Sequence, residues 1–165
     1  MSGFKSLYQP YLHMERMLRE SVPFQALVGA ATTAEAKERI KFISCQDFDK
    51  TNRTYQAVPM PRVAIWNLNA AKTRTSAGTY STQPRLVISL EIEIPSEVGP
   101  TEDEQFRYCG PLYEEIEDDL ATMSRTPGNL DFGGISYLQV PAPFDPKENQ
   151  GRRIWGADIE FICRG

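Results

Sequence analysis

In "PRLVISLEIEIP", residues 84 to 95, Leu86, Ile88, Leu90, Ile92 and Ile94 take every second position, and Ser89, Glu91 and Glu93 stand between them. A period of two predicts a long β-strand with one face in a core and the other available to water or a partner. The same period returns in "RRIWGADIEFICR", where Trp155, Ala157, Ile159, Phe161 and Cys163 share a face. Pairing these two segments antiparallel would merge their apolar stripes into one buried surface. Shorter strands are expected in "IKFISCQDF", "RVAIWNLN" and "ISYLQV". Residues 46 to 61 are mostly polar and contain Pro59 and Pro61, which predicts a loop or an irregular edge segment.

Helical spacing appears before the β-rich region and again between its strands. Phe4, Leu7, Tyr11, Met14 and Leu18 form one stripe, so residues 4 to 20 are expected to be an amphipathic helix ending before Pro23. A weaker helical stretch, "TTAEAKERI", follows Gly29. In "GPLYEEIEDDLATMS", Leu112, Ile116, Leu120 and Met123 line one side of a helix, and Glu114, Glu115, Glu117, Asp118 and Asp119 fill a broad acidic arc. Thr101-x-x-Glu104 has the form of a capping box. Gly110-Pro111 would break a helix begun there, so a separate start at Pro111 is expected.

These elements predict an α+β fold. Residues 1 to 165 form a single domain with one mostly antiparallel sheet, covered on one face by the N-terminal helix and the acidic amphipathic helix. Two connections are long, "NAAKTRTSAGTYSTQ" at 69 to 83 and "PAPFDPKENQGRR" at 141 to 153. Compact domains favour about 4 to 6 residues, so connections of this length point to function or disorder.

Composition narrows the chemistry. Apolar residues make up 41% and charged residues 24%, ordinary globular usage that suggests neither disorder nor a coiled coil. A formal net charge of -4 argues against a broad basic surface for gripping DNA. Cys45, Cys109 and Cys163 are far apart and form no C-x-x-C pair, which favours buried free thiols over a disulfide framework or zinc cluster. No run approaches the roughly 20 apolar residues of a membrane span. The N-terminal segment lacks the apolar core of a signal peptide, so the expectation is a protein that stays in the cytoplasm.

No sequence signature of a known catalytic centre appears. The single histidine, His13, projects away from the first helix's stripe and is expected to be exposed, with no G-x-S-x-G elbow to serve. No phosphate-binding glycine loop occurs, since "GNLDFGG" has neither the spacing nor a following helix. No cofactor or metal site is expected. The carboxylates at 114 to 119 have three readings: a solvated helix face, groups for acid–base work or a hard cation, and a surface that repels something negative. Lys72, Arg74 and Tyr80 in the first long connection, and Arg152 and Arg153 beside the second, are either solvated or in contact with a partner. Trp66 and Trp155 sit in strands, suited to core packing or a subunit contact.

The order of elements carried by "RVAIWNLN", "PRLVISLEIEIP", "LYEEIEDDLATM" and "RRIWGADIEFICR" resembles the tail terminator proteins of long-tailed bacteriophages. The likeness covers nearly the whole chain as element order, without a short motif. It implies a non-enzymatic virion protein at the head-proximal end of the tail, assembled in the host cytoplasm. There a homohexameric ring caps the tail tube protein, stops its polymerisation and offers its other side to the head-completion proteins. DNA would pass through the lumen without specific binding, past Glu114, Glu115, Glu117, Asp118 and Asp119, whose charge repels phosphate. The outer strand face with Glu91 and Glu93 would meet the lumen or an adjoining subunit. Two other classes stay open: another neck or tail component, such as a stopper or tube protein, and a small enzyme using the acidic cluster with a divalent cation.

Overall fold

The computed structural model describes residues 8–42, 45–74, 77–78, 80–129, 132–137, 142–143 and 153–163. The sheet comprises β1 (Ile40–Phe42), β4 (Arg62–Arg74), β5 (Tyr80–Glu93), β6 (Phe132–Tyr137), β7 (Ala142–Pro143) and β8 (Ile154–Cys163). Its strand order is β1-β4-β5-β8-β6, with β7 also on β8. The β1–β4 pair is parallel and the other pairings are antiparallel. The fold is α+β, as the hydrophobic pattern predicts.

The two long apolar stripes meet in the expected way. Leu86 lies opposite Phe161, Ile88 opposite Ile159, Leu90 opposite Ala157 and Ile92 opposite Trp155. All eight are at most 3% exposed. Val63 and Ile65 of β4 extend this face through register with Leu90 and Ile88. The helices that cover it are α1 (Tyr8–Glu20), α2 (Val22–Val28), α3 (Thr33–Lys37) and α4 (Glu102–Met123). Met14, Met17 and Leu18 of α1, Phe24 of α2, Ala36 of α3, and Cys109, Tyr113, Ile116 and Leu120 of α4 join the strand residues in one core. Each fully buried Leu, Ile or Phe contributes on the order of 1.5–3 kcal/mol, so the two-layer packing holds the domain together.

Four local expectations change. Pro23 does not merely end the first helix; it starts a second, since Ser21 Oγ accepts from the Phe24 N–H and proline fits the first turn. Gly29 closes α2 at φ 67°, a left-handed conformation glycine adopts without penalty. Residues 46 to 57 are a separate β-hairpin of β2 (Gln46–Asp49) and β3 (Thr54–Ala57), not an irregular segment. Its turn is set by the Asp49 carboxylate, which accepts from the backbone N–H groups of Thr51 and Asn52. Residues 69 to 74 and 80 to 83, read above as part of a long loop, continue the β4–β5 ladder, with Asn69 opposite Arg85 and Arg74 opposite Tyr80. A register shift between Trp66 and Asn69 interrupts the alternation there, which is why the period-two signal fades.

The fourth change concerns α4, which begins at Glu102 rather than at Pro111. Thr101 Oγ1 accepts from the Glu104 N–H at 3.2 Å, and the Glu104 carboxylate accepts from the Thr101 N–H at 3.1 Å. Pro111 removes the bond that would reach the carbonyl of residue 107. Arg107 and Pro111 are both exposed, so this break in the bonding falls on the solvent side of the helix rather than in the core, and the helix continues. Replacing Thr101 with Ala removes one half of the box and is expected to lower Tm by roughly 2–4 °C, read by circular dichroism. The same change would leave stability untouched if α4 began at Pro111.

Candidate interaction surfaces

The helices lie on one face of the sheet, so the opposite face is the first surface to consider. Strand alternation brings Arg62, Ala64 and Trp66 of β4 together there with Val87, Ser89, Glu91 and Glu93 of β5 and Asp158 and Glu160 of β8. The Trp66 indole N–H donates to Ser89 Oγ, and the Ser89 hydroxyl donates to Asp158, so one serine links three strands. Arg62 pairs with Glu91 and also donates to the Val58 carbonyl at 2.8 Å. Arg85 pairs with Glu160, which is 7% exposed. Val87 is buried between these groups. Glu91 is thus engaged within its own chain, and the face is a cross-linked polar layer rather than a row of solvated side chains.

Alternation alone identifies this face, but its partners depend on strand register. Nothing in "PRLVISLEIEIP" by itself links Ser89 to Asp158, 69 residues away.

The acidic arc of α4 is the second surface. Glu114, Glu115 and Asp118 are exposed, and Glu117 and Asp119 are half-buried. Among the described residues, Glu114, Glu115, Asp118 and Asp119 form no ion pair. No group of three or more His, Cys, Asp or Glu among the described residues is arranged to hold a metal ion. The stripe beneath the arc is wider than the four positions read from the sequence, because Cys109 and Tyr113 are buried too. The Tyr113 hydroxyl donates to the Trp155 carbonyl at 3.1 Å, tying α4 to β8.

The β4–β5 ribbon is the third surface. Lys72 lies opposite Thr82, and Arg74 opposite Tyr80, so three predicted contact residues stand near its tip. Beyond Ile65, β4 pairs among the described residues only with β5, and residues 80–84 of β5 pair only with β4. Arg152 lies outside the described residues. Arg153, by contrast, turns inward: its guanidinium donates to the carbonyls of Pro95, Val98 and Gly99 at 2.7, 2.9 and 3.2 Å. It fixes the turn between β5 and α4.

His13 is half-buried rather than exposed, with Arg16 Nη2 3.4 Å from its Nδ1. Burial, then the nearby Arg16 charge, lowers its pKa. Arg16 also donates to the Gly128 carbonyl at 3.1 Å, joining α1 to the segment after α4. Aromatic rings are exposed at the sheet's β1 side: Phe42 meets Tyr11 at 4.8 Å between centroids, and Phe48 meets Tyr55 at 5.2 Å on the hairpin.

The buried Cys109 thiol and the half-buried Cys45 thiol set an alkaline limit. Burial pushes Cys109 from an ordinary 9.0 to about 12, and pushes Cys45, also raised by the Glu91 charge, to about 11. Both pKa values are raised on folding, so the folded chain holds these protons more tightly. Their contribution is intact below pH 9 and is lost as pH rises from 9 to 12. Urea unfolding across this range should show declining stability, with a shallower decline in Cys109→Ala. An equal decline in Cys109→Ala and the wild-type chain would contradict the role given to this thiol.

Comparison with protein-family models and with curated proteins finds no match for this chain. None of the described helices is long and apolar enough to cross a membrane.

Proposed function

We propose that the chain is a phage tail terminator, a structural protein whose copies form a hexameric ring on the head-proximal end of the tail tube. The ring stops tube polymerisation and presents its other side to the head-completion proteins. One observation carries this reading: a β4–β5 ribbon that runs past the sheet, with no strand beside either edge among the described residues. A closed ring is made by a head-to-tail contact, in which each copy offers two different surfaces. An arm reaching out of one copy suits half of that contact.

The remaining surfaces are consistent with this role. The helical layer and core leave the opposite sheet face rigid and polar, suited to a wall in an assembly. The carboxylates of α4 supply negative charge that would keep passing DNA from adhering, because phosphate is repelled where Lys or Arg would hold it. No step of bond chemistry is needed.

Electron microscopy of the purified chain, with mass measurement in solution, tests the assembly. Discrete rings of six copies are expected, formed alone or on tube ends. Long cylinders of this chain would instead identify a tube protein.

A further inference from the structure

By sequence, the segment that forms the β4–β5 ribbon and the acidic face of α4 carry opposite charge. From Asn69 through Pro84 the sequence has two cations, Lys72 and Arg74, and no acidic residue. From Gly110 through Met123 it has five acidic residues, Glu114, Glu115, Glu117, Asp118 and Asp119, and no Lys or Arg. In its own chain, α4 packs on α1, α2 and β8. The ribbon's five register pairs past β8, Ala70–Pro84 to Arg74–Tyr80, span about 16 Å at ~3.3 Å per residue.

A two-stranded ribbon is marginal in water without a third layer, and free strand edges seek a partner. A chain with a cationic arm and an anionic helix face supplies that missing layer by binding another copy of itself. We infer that the ribbon of one protomer docks along the acidic face of α4 on the next copy. The contact is head-to-tail, so it propagates around a closed ring. Two cations offset two of the five carboxylates, and the remainder keeps the surface negative. This inference rests on the ring reading but is measured on the purified chain, apart from tails.

Charge reversal tests it. Lys72→Glu with Arg74→Glu reverses the ribbon; Glu114→Lys, Glu115→Lys and Asp118→Lys reverse the helix face. Either set alone should weaken self-association by about tenfold or more in sedimentation velocity, because like charges then meet. The two sets combined in one chain should restore assembly. A one-to-one mixture of the two reversed chains should also co-assemble, giving rings with alternating copies. Zero-length carbodiimide cross-linking of the wild-type chain at high concentration should join Lys72 to α4 carboxylates between copies. Circular dichroism checks that each variant keeps the fold.

Assembly by the wild-type chain that neither reversal weakens would overturn the inference while leaving a ring through another surface. Failure of the combined set to restore assembly would overturn it as well. So would a wild-type chain that stays monomeric and yields no Lys72–α4 cross-link.

Discussion

Trp155→Ala is expected to destabilise the protein by about 3–5 kcal/mol, the cost of emptying a large core site that cannot fully collapse. Trp155 is 2% exposed, stands opposite Ile92 in the β5–β8 ladder, and lies 6.3 Å from the Phe106 ring of α4. Its carbonyl accepts from Tyr113, so sheet and helix meet at this residue. Domains are stable by about 5–15 kcal/mol, so the loss is a large share of the total. At this chain length, Tm should fall by roughly 6–20 °C. Trp155→Phe separates packing from polarity. The indole Nε1 has no hydrogen-bond partner among the described residues, so removing it forfeits no bond. The Phe variant should cost less than about 1.5 kcal/mol. Equal effects of Ala and Phe would show that volume is not what Trp155 supplies.

Arg153→Ala is the second large effect, at about 1.5–3 kcal/mol. The guanidinium is half-buried and bonds to three carbonyls in the turn that delivers the chain from β5 to α4, and hydrogen bonds from charged donors fall in that range. Lysine should recover little, because an ammonium on a flexible stem does not reproduce a planar fork aimed at several acceptors. Thermal unfolding of the three chains provides the measurement. Unchanged stability in the Ala variant would return Arg153 to the role of partner contact that its place beside a long connection first suggested.

Arg153 also shows where sequence reading stops. A basic residue next to a long polar stretch looks like a surface contact. Only the path of the chain at 95–99 brings three carbonyl groups around it. The apolar stripes of β5 and β8 were legible because alternation is local and the pairing follows from burying both. The stripe on α4 was legible for the same reason, since Ile116 and Leu120 recur at helical spacing.

What pattern could not supply was competition between local signals. Pro111 outweighs Thr101 and Glu104 when read as a helix breaker. In the fold, the capping box and the exposed position of Pro111 reverse that ranking. The ribbon was hidden because Asn69, Ala70, Thr73 and Ser81 alternate nothing apolar, and its pairing depends on the partner strand alone. The acidic arc was visible as composition, and its exposure follows from the buried stripe opposite. The polar sheet face was half visible: Ser89 and Glu91 lie between apolar neighbours, but Arg62, Trp66, Asp158 and Glu160 reach them only through register.

The length of tails assembled with and without this chain tests the proposed function most directly. On the terminator reading, electron micrographs of lysates from a phage carrying this chain, with the gene deleted, should show tube polymers of uncontrolled length, and supplying the chain in trans should restore one length. Tails of normal, uniform length that fail to join heads would contradict the terminator role and place the chain among the head-completion components.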